Sequence, residues 1–143
     1  MADDGTQQTT HRSAMDLEVA ASDGPDPLDT ETVAMLRSLP GEDGGDVFAE
    51  LVVLFRSKAA AELAAMREAA AVGDAGAVRR RAHSMRSASG NLGARTLARM
   101  LGALEEKARS GVPLRDITDF AAIACELARV EQALVAAARA MAA

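Results

Sequence analysis

The chain has no tryptophan, no tyrosine and only three phenylalanines among 143 residues. With so few rings there is almost nothing to stack on bases, and a formal charge of −5 argues against a surface built to track nucleic-acid phosphates. The single cysteine, Cys125, excludes an internal disulfide framework and a multi-cysteine metal cluster. No apolar run approaches the roughly 18 uninterrupted residues of a membrane-spanning helix, and no basic-then-apolar leader opens the chain. These absences lead us to expect a soluble, cytoplasmic protein with no nucleic-acid and no membrane partner. Histidine is scarce as well: only His11 and His83 are left to carry imidazole chemistry.

What is abundant is alanine, at 33 residues, beside only four prolines. Alanine is the best helix former and a poor strand residue, so the composition predicts an all-α fold and excludes an all-β one. The length suits one domain better than two.

Residues 1–27 are polar, rich in Asp, Ser, Thr and Gly, and lack an apolar stripe, so they are expected to form a disordered acidic tail. Residues 1–30 hold seven acids and one base, which leaves residues 31–143 at +1. The acidity of the chain thus belongs to its beginning, and residues 28–143 are the expected folded domain.

In that domain apolar residues recur at helical spacing between clear stop signals. The pattern predicts helices over about 30–39, 46–72, 75–89, 94–109 and 114–141. Asp29 and Asp74 are the candidate N-caps of the first and third, and Leu28 is placed to staple against Val33. Pro40-Gly41, Gly73, Gly90-Asn91-Leu92-Gly93 and Ser110-Gly111 are the stops. The last helix is expected to bury Ile117, Ala121, Ala124, Ala128, Leu134, Val135 and Ala138. Short connections between long helices imply antiparallel neighbours, hence an up-down antiparallel four-helix bundle with a short extra N-terminal helix.

The third helix is the informative one. At about 100° per residue, Val78, Ala82, Met85, Ser89 and Leu92 share one narrow stripe. Arg79, Arg80, His83, Arg86, Ser87 and Gly90 gather on the opposite side, so His83 faces outward among guanidiniums and small residues. Arg81 falls nearer the apolar side, where it must snorkel or meet an acid from another helix. Between Ala75 and Leu104 there are six arginines and no acid. Cations around an outward imidazole oppose its protonation and favour the neutral, nucleophilic ring. They also attract an arriving phosphoryl group and would steer an acidic partner. A lone helical histidine is ordinarily structural or solvated; its place on the polar face, three and four residues from arginines, points to chemistry instead.

The run Arg81-Ala82-His83-Ser84-Met85-Arg86-Ser87-Ala88-Ser89-Gly90-Asn91-Leu92-Gly93-Ala94, with Leu97, Leu104-Glu105 and Ala108-Arg109-Ser110-Gly111 after it, closely resembles the histidine-containing phosphotransfer (HPt) domains. Gly73-Asp74 and the Leu54-Phe55 helix also look like that family, and the resemblance covers roughly residues 28–140. Two departures are visible: Arg86 replaces the usual lysine three residues after the histidine, and Ser87 replaces the glycine often found next. Arginine keeps the charge but is planar and bulkier, and serine is small enough for a partner to approach.

The resemblance implies a phosphorelay intermediate. His83 would be the phosphoacceptor, taking a phosphoryl group on Nε2 from the aspartyl phosphate of one receiver domain and passing it to another. Arg86 and Ser87 would stabilise the phosphoryl group; Arg79, Arg80, Gly90 and Arg95 would contact the partner. The partners implied are receiver domains of response regulators or hybrid histidine kinases. No bound cofactor or metal is expected in the chain, the Mg²⁺ belonging to the receiver. A phosphocarrier without autokinase activity is expected, using no ATP directly, and family members are mostly monomers.

Three alternatives are less well served. A histidine-kinase dimerisation domain usually has an acid directly after its histidine, where this chain has Ser84, and there is no Gly-Lys-Ser/Thr phosphate loop. A metal enzyme lacks ligands three or four residues from His83. A non-catalytic helical adaptor, binding an acidic partner through its basic face, is the alternative of a different class. Asp74 reads as a cap, Glu105 as a solvated or packing position, and His11 as inert.

Overall fold

The computed structural model describes residues 26–41 and 44–142. All but the last two residues of the acidic tail expected over 1–27 therefore lie outside the described residues. Among those described, the chain forms five α-helices and no strand, with one isolated bridge between Pro40 and Asp46.

Local chemistry sets the helix ends. Helix α1 (Thr30–Ser38) is capped by Asp29, whose carboxylate accepts from the Thr32 backbone N–H at 3.2 Å and from the Thr32 hydroxyl at 2.5 Å. Helix α2 (Val47–Ala71) is capped in the same way by Asp46, which accepts from Ala49 N at 3.0 Å. Gly73 turns the chain with φ +78°, and Asp74 caps α3 (Ala75–Asn91) through Ala77 N at 3.0 Å. Helix α4 (Arg95–Ser110) ends on Gly111 at φ +89°. After Pro113 comes a single 3-10 turn, Leu114–Asp116, and then α5 (Asp119–Ala142).

The last helix departs from expectation. It starts at Asp119 instead of about Leu114, because Leu114–Asp116 close as a tighter turn. Its buried aliphatics are Ile123, Leu127, Val130 and Leu134; of the residues expected to be buried, Leu134 and, ahead of the helix, Ile117 are, Ala124, Val135 and Ala138 are half-buried, and Ala121 and Ala128 are exposed. In a segment this rich in alanine, small residues lie on every face, so alanine cannot mark the core side. The large aliphatics mark it, because each loses far more apolar surface to burial. Helix α3 also runs one turn-fraction longer than expected, to Asn91.

The four long helices close a ring: α2 packs on α3, α3 on α4, α4 on α5, and α5 back on α2. Phe48 and Met66 from α2, Val78 from α3, Leu97, Leu101 and Leu104 from α4, and Ile123, Val130 and Leu134 from α5 are fully buried between them. At about 1.5–3 kcal/mol for each large side chain taken out of water, this shared core is the main term holding the ring. Leu28 and Val33 are both buried, as the staple pairing requires.

Helix α1 lies over the α3–α4 turn. The Asp29 N–H donates to Gly93 O at 2.7 Å, and a Cβ on Gly93 would stand 3.0 Å from Thr32 Cβ. Gly93 also has φ +83°, so both backbone conformation and close approach require glycine there. The turn fixes the register of α3 against α4, and that register positions the site.

Candidate functional site

Helix α3 buries Val78, Ala82, Met85 and Ser89, which pins its rotation. His83, lying between Ala82 and Met85 in sequence, is thereby turned outward, with its side chain 57% exposed. Arg79, Arg80, Arg86, Ser87 and Gly90 are exposed on the same helix. Arg79 and Arg80 make no ion pair with a described residue.

The imidazole is not surrounded by cations alone. Glu105, on the facing part of α4, accepts a hydrogen bond from His83 Nδ1 through Oε2 at 2.9 Å. Its other oxygen, Oε1, lies 3.2 Å from Arg86 Nη1, an ion pair not aligned as a hydrogen bond. One carboxylate, only 20% exposed, thus serves both the ring and the guanidinium. Glu105, the first residue past the acid-free stretch 75–104, bonds the ring directly, which corrects the expectation that it is a solvated or packing position. A carboxylate can only accept, so in the neutral ring Nδ1 carries the proton and Nε2 keeps its lone pair. Nε2 has no protein partner among the described residues. The site therefore presents an oriented nitrogen nucleophile with a positive side chain beside it.

Other site residues are placed less centrally. Ser87 and Gly90 lie one and two turns on from His83 and leave the helix surface low there. Arg95 stands at the α3–α4 turn, reached nine residues beyond His83 at Leu92, or about 13 Å along α3. Its Nη2 pairs with Asp29 Oδ2 at 3.1 Å, so it is tied to the start of α1. The Asp29 carboxyl is held below its ordinary range, chiefly by the Thr32 hydroxyl; desolvation opposes this, and the Thr32 N–H and Arg95 reinforce it. Arg81 does meet an acid from another helix: its Nη1 lies 3.2 and 3.1 Å from the two oxygens of Glu62 on α2.

On the α2 flank of α3, opposite the Glu105 flank, a groove of about 450 Å³ is lined by Leu36, Leu51, Leu54, Phe55, Met85 and Ala88, among others. Leu54 is half exposed there. Reading the third helix alone missed both this groove and Glu105, since each depends on which helix lies alongside. A signal for Glu105 was present: it sits four residues after Leu101 and three before Ala108, bordering the buried stripe of its helix.

Among the described residues no group of three or more His, Cys, Asp or Glu is placed to hold a metal ion, and no helix is long and apolar enough to cross a membrane. No curated protein and no solved structure matches the chain. The family model described as Hpt domain matches residues 50–140. Hpt domains are helical phosphocarriers that interact with receiver domains in histidine phosphorelays. The matched span covers most of α2 and nearly all of α5, with the histidine helix and its carboxylate partner between them, and the chain belongs to the Hpt domain family.

Proposed function

We propose that this chain accepts a phosphoryl group on His83 from the aspartyl phosphate of one receiver domain and hands it to the aspartate of another. The observation that carries the proposal is the exposed His83 ring held at Nδ1 by Glu105, which directs the Nε2 lone pair outward. In the transfer, Nε2 attacks phosphorus, the P–N bond forms, and the P–O bond to the donor carboxylate breaks. The carboxylate leaves with its electron pair. The ring then carries positive charge with its proton still on Nδ1, and Glu105 stabilises that charge where it stands. Delivery to the second receiver is the reverse, with the acceptor aspartate as nucleophile.

Arg86 stands beside the ring and offers charge-assisted hydrogen bonds to phosphoryl oxygens, and Ser87 leaves room for the partner and a hydroxyl near the group. Arg79, Arg80 and Gly90 form the approach surface. Arg95 is a peripheral contact at most, given its pairing with Asp29. The apolar groove past Met85 and Ala88 offers a receiver surface to rest on while the arginines meet its acidic pocket. Mg²⁺ belongs to that acidic pocket, and this chain contributes an oriented nucleophile and no ATP chemistry. The reading includes an up-and-down order for the four long helices, supported by their short connections and their ring of contacts, and a place in the cytoplasm.

The test is to mix the protein with receiver domains carrying labelled phosphate, with His83→Gln beside it. Wild type should gain acid-labile, alkali-stable label, and His83→Gln none. Label persisting in His83→Gln would overturn the site, and a wild type unlabelled by its cognate receivers would overturn the relay role. ATP alone should label neither.

A further inference from the structure

Gly102 lies midway along α4, where glycine weakens a helix relative to alanine by leaving the backbone freer in the unfolded chain. It is not among the glycines with positive φ, so no turn or cap requires it. Its neighbourhood supplies the reason. A Cβ at this position would stand 3.3 Å from Arg86 Cδ and 3.5 Å from Arg86 Nη1, with no other group within 4 Å beyond its own helix and immediate neighbours. The first distance is tighter than ordinary carbon contact. The missing side chain is a notch in α4, and the stem of Arg86 crosses from α3 through it.

We propose that Gly102 is a positioning residue for phosphoryl transfer: its notch seats Arg86 so that one arm of the guanidinium reaches Glu105 while the others stay available to a phosphoryl group on His83. The proposal rests on the phosphotransfer reading above. Glu105 is then held from two sides, by Arg86 at Oε1 and by the ring at Oε2, which limits rotation of both carboxylate and imidazole. The Arg86 contact lacks hydrogen-bond alignment, so the seat, more than a directional bond, keeps the guanidinium in place. Arginine suits this task because its five donors are spread over three nitrogens in a rigid fork. A lysine ammonium has a single nitrogen and cannot span the carboxylate and the phosphoryl group in the same way. Gly102 and the departure from lysine at position 86 are thus two parts of one arrangement.

The experiment compares wild type with Gly102→Ala, Gly102→Leu, Arg86→Ala and the Gly102→Leu/Arg86→Ala pair. Gly102→Ala should raise the melting temperature by restoring helix propensity and yet slow transfer slightly, a combination that a merely structural glycine does not produce. Gly102→Leu should slow transfer about fivefold, the effect of losing roughly one exposed charge contact, and should add nothing when Arg86 is already alanine. Guanidinium ¹⁵N–¹H spectra of the free protein give a readout that needs no receiver: the Arg86 signals should shift in both Gly102 variants and in Glu105→Gln. Unchanged Arg86 signals in Gly102→Leu, or an equal slowing in the Arg86→Ala background, would overturn the seat while leaving the relay role intact. Failure of the relay role would show instead as absent label on wild type, with the spectra still deciding the seat.

Discussion

Helices α3 and α4 together carry eight bases and two acids, whereas α2 and α5 carry five bases and six acids. The two pairs share one core and form opposite sides of the ring, yet their outer seams differ. Between α3 and α4, Glu105 joins His83 and Arg86 across the seam at 2.9 and 3.2 Å. Between α2 and α5, alanines such as Ala60, Ala64, Ala124 and Ala128 leave an open groove of about 750 Å³, crossed by an Arg56–Glu131 pair at 3.9 Å. An ion pair of the second kind contributes little, because at 3.9 Å it lacks hydrogen-bond contact and its arginine is half exposed. The first kind gains its value from position: a carboxylate only 20% exposed holds the ring of the histidine proposed as phosphoacceptor. The two seams thus differ both in how closely their helices approach and in which side chains meet over them.

Charge removal on each seam should separate the two most sharply. Glu105→Ala should slow phosphoryl transfer by roughly ten- to hundredfold, since a loosely held ring spends little time aligned for attack, while Glu131→Gln should leave the rate within about twofold. Single-turnover transfer from a labelled receiver reads both, and equal effects would erase the distinction between the seams.

Arginine removal is the next comparison. Arg86→Ala should cost about tenfold in transfer rate, the scale of a charge contact at an interface, against little change for Arg67→Ala on the α2–α5 side. A rate unaffected by Arg86→Ala would leave Glu105 as the sole support of the ring.

Reversal of the approach charges should act on encounter and not on chemistry. Arg79→Glu with Arg80→Glu should raise the apparent KM for the receiver several-fold, with kcat nearly kept, and should flatten its dependence on salt. A fall in kcat with unchanged KM would place these arginines in the reaction itself.

The smallest effect belongs to the turn that sets the α3–α4 register. Asp29→Ala removes the cap of α1 and the Arg95 pair, and should lower the thermal midpoint near neutral pH. Because the Asp29 carboxyl is held below its ordinary range when folded, its contribution is present above about pH 4 and is lost as the pH falls through that lowered value. The gap between wild type and variant in thermal melts should therefore close in acid, and a gap that widened there would reverse the sign of the coupling.

Much of this arrangement was legible before any coordinates. The polar face of α3, the caps Asp29 and Asp74, and the outward His83 follow from helical period and turn chemistry, both local properties of the chain. Arg81 is an intermediate case: its place on the helix demanded a partner, but only packing could name Glu62. On α5 the expected face is only partly right: Leu134 is buried but Ala121 and Ala128 are exposed, because alanines populate all its faces and competition among aliphatics for the core decides its phase.

By itself, then, the sequence determined that the chain is helical, where most of its helices begin and end, and which histidine faces water among arginines. Tertiary structure alone decided that Glu105 lies beside that histidine, that Arg86 rests over Gly102, and that Arg95 is drawn off to Asp29. The physical reason is one of range. Caps, turns and amphipathic stripes are set within about one or two turns of chain, whereas an acid 22 residues downstream meets His83 only after the Gly93 turn and the buried leucines of α4 have fixed one helix against the other.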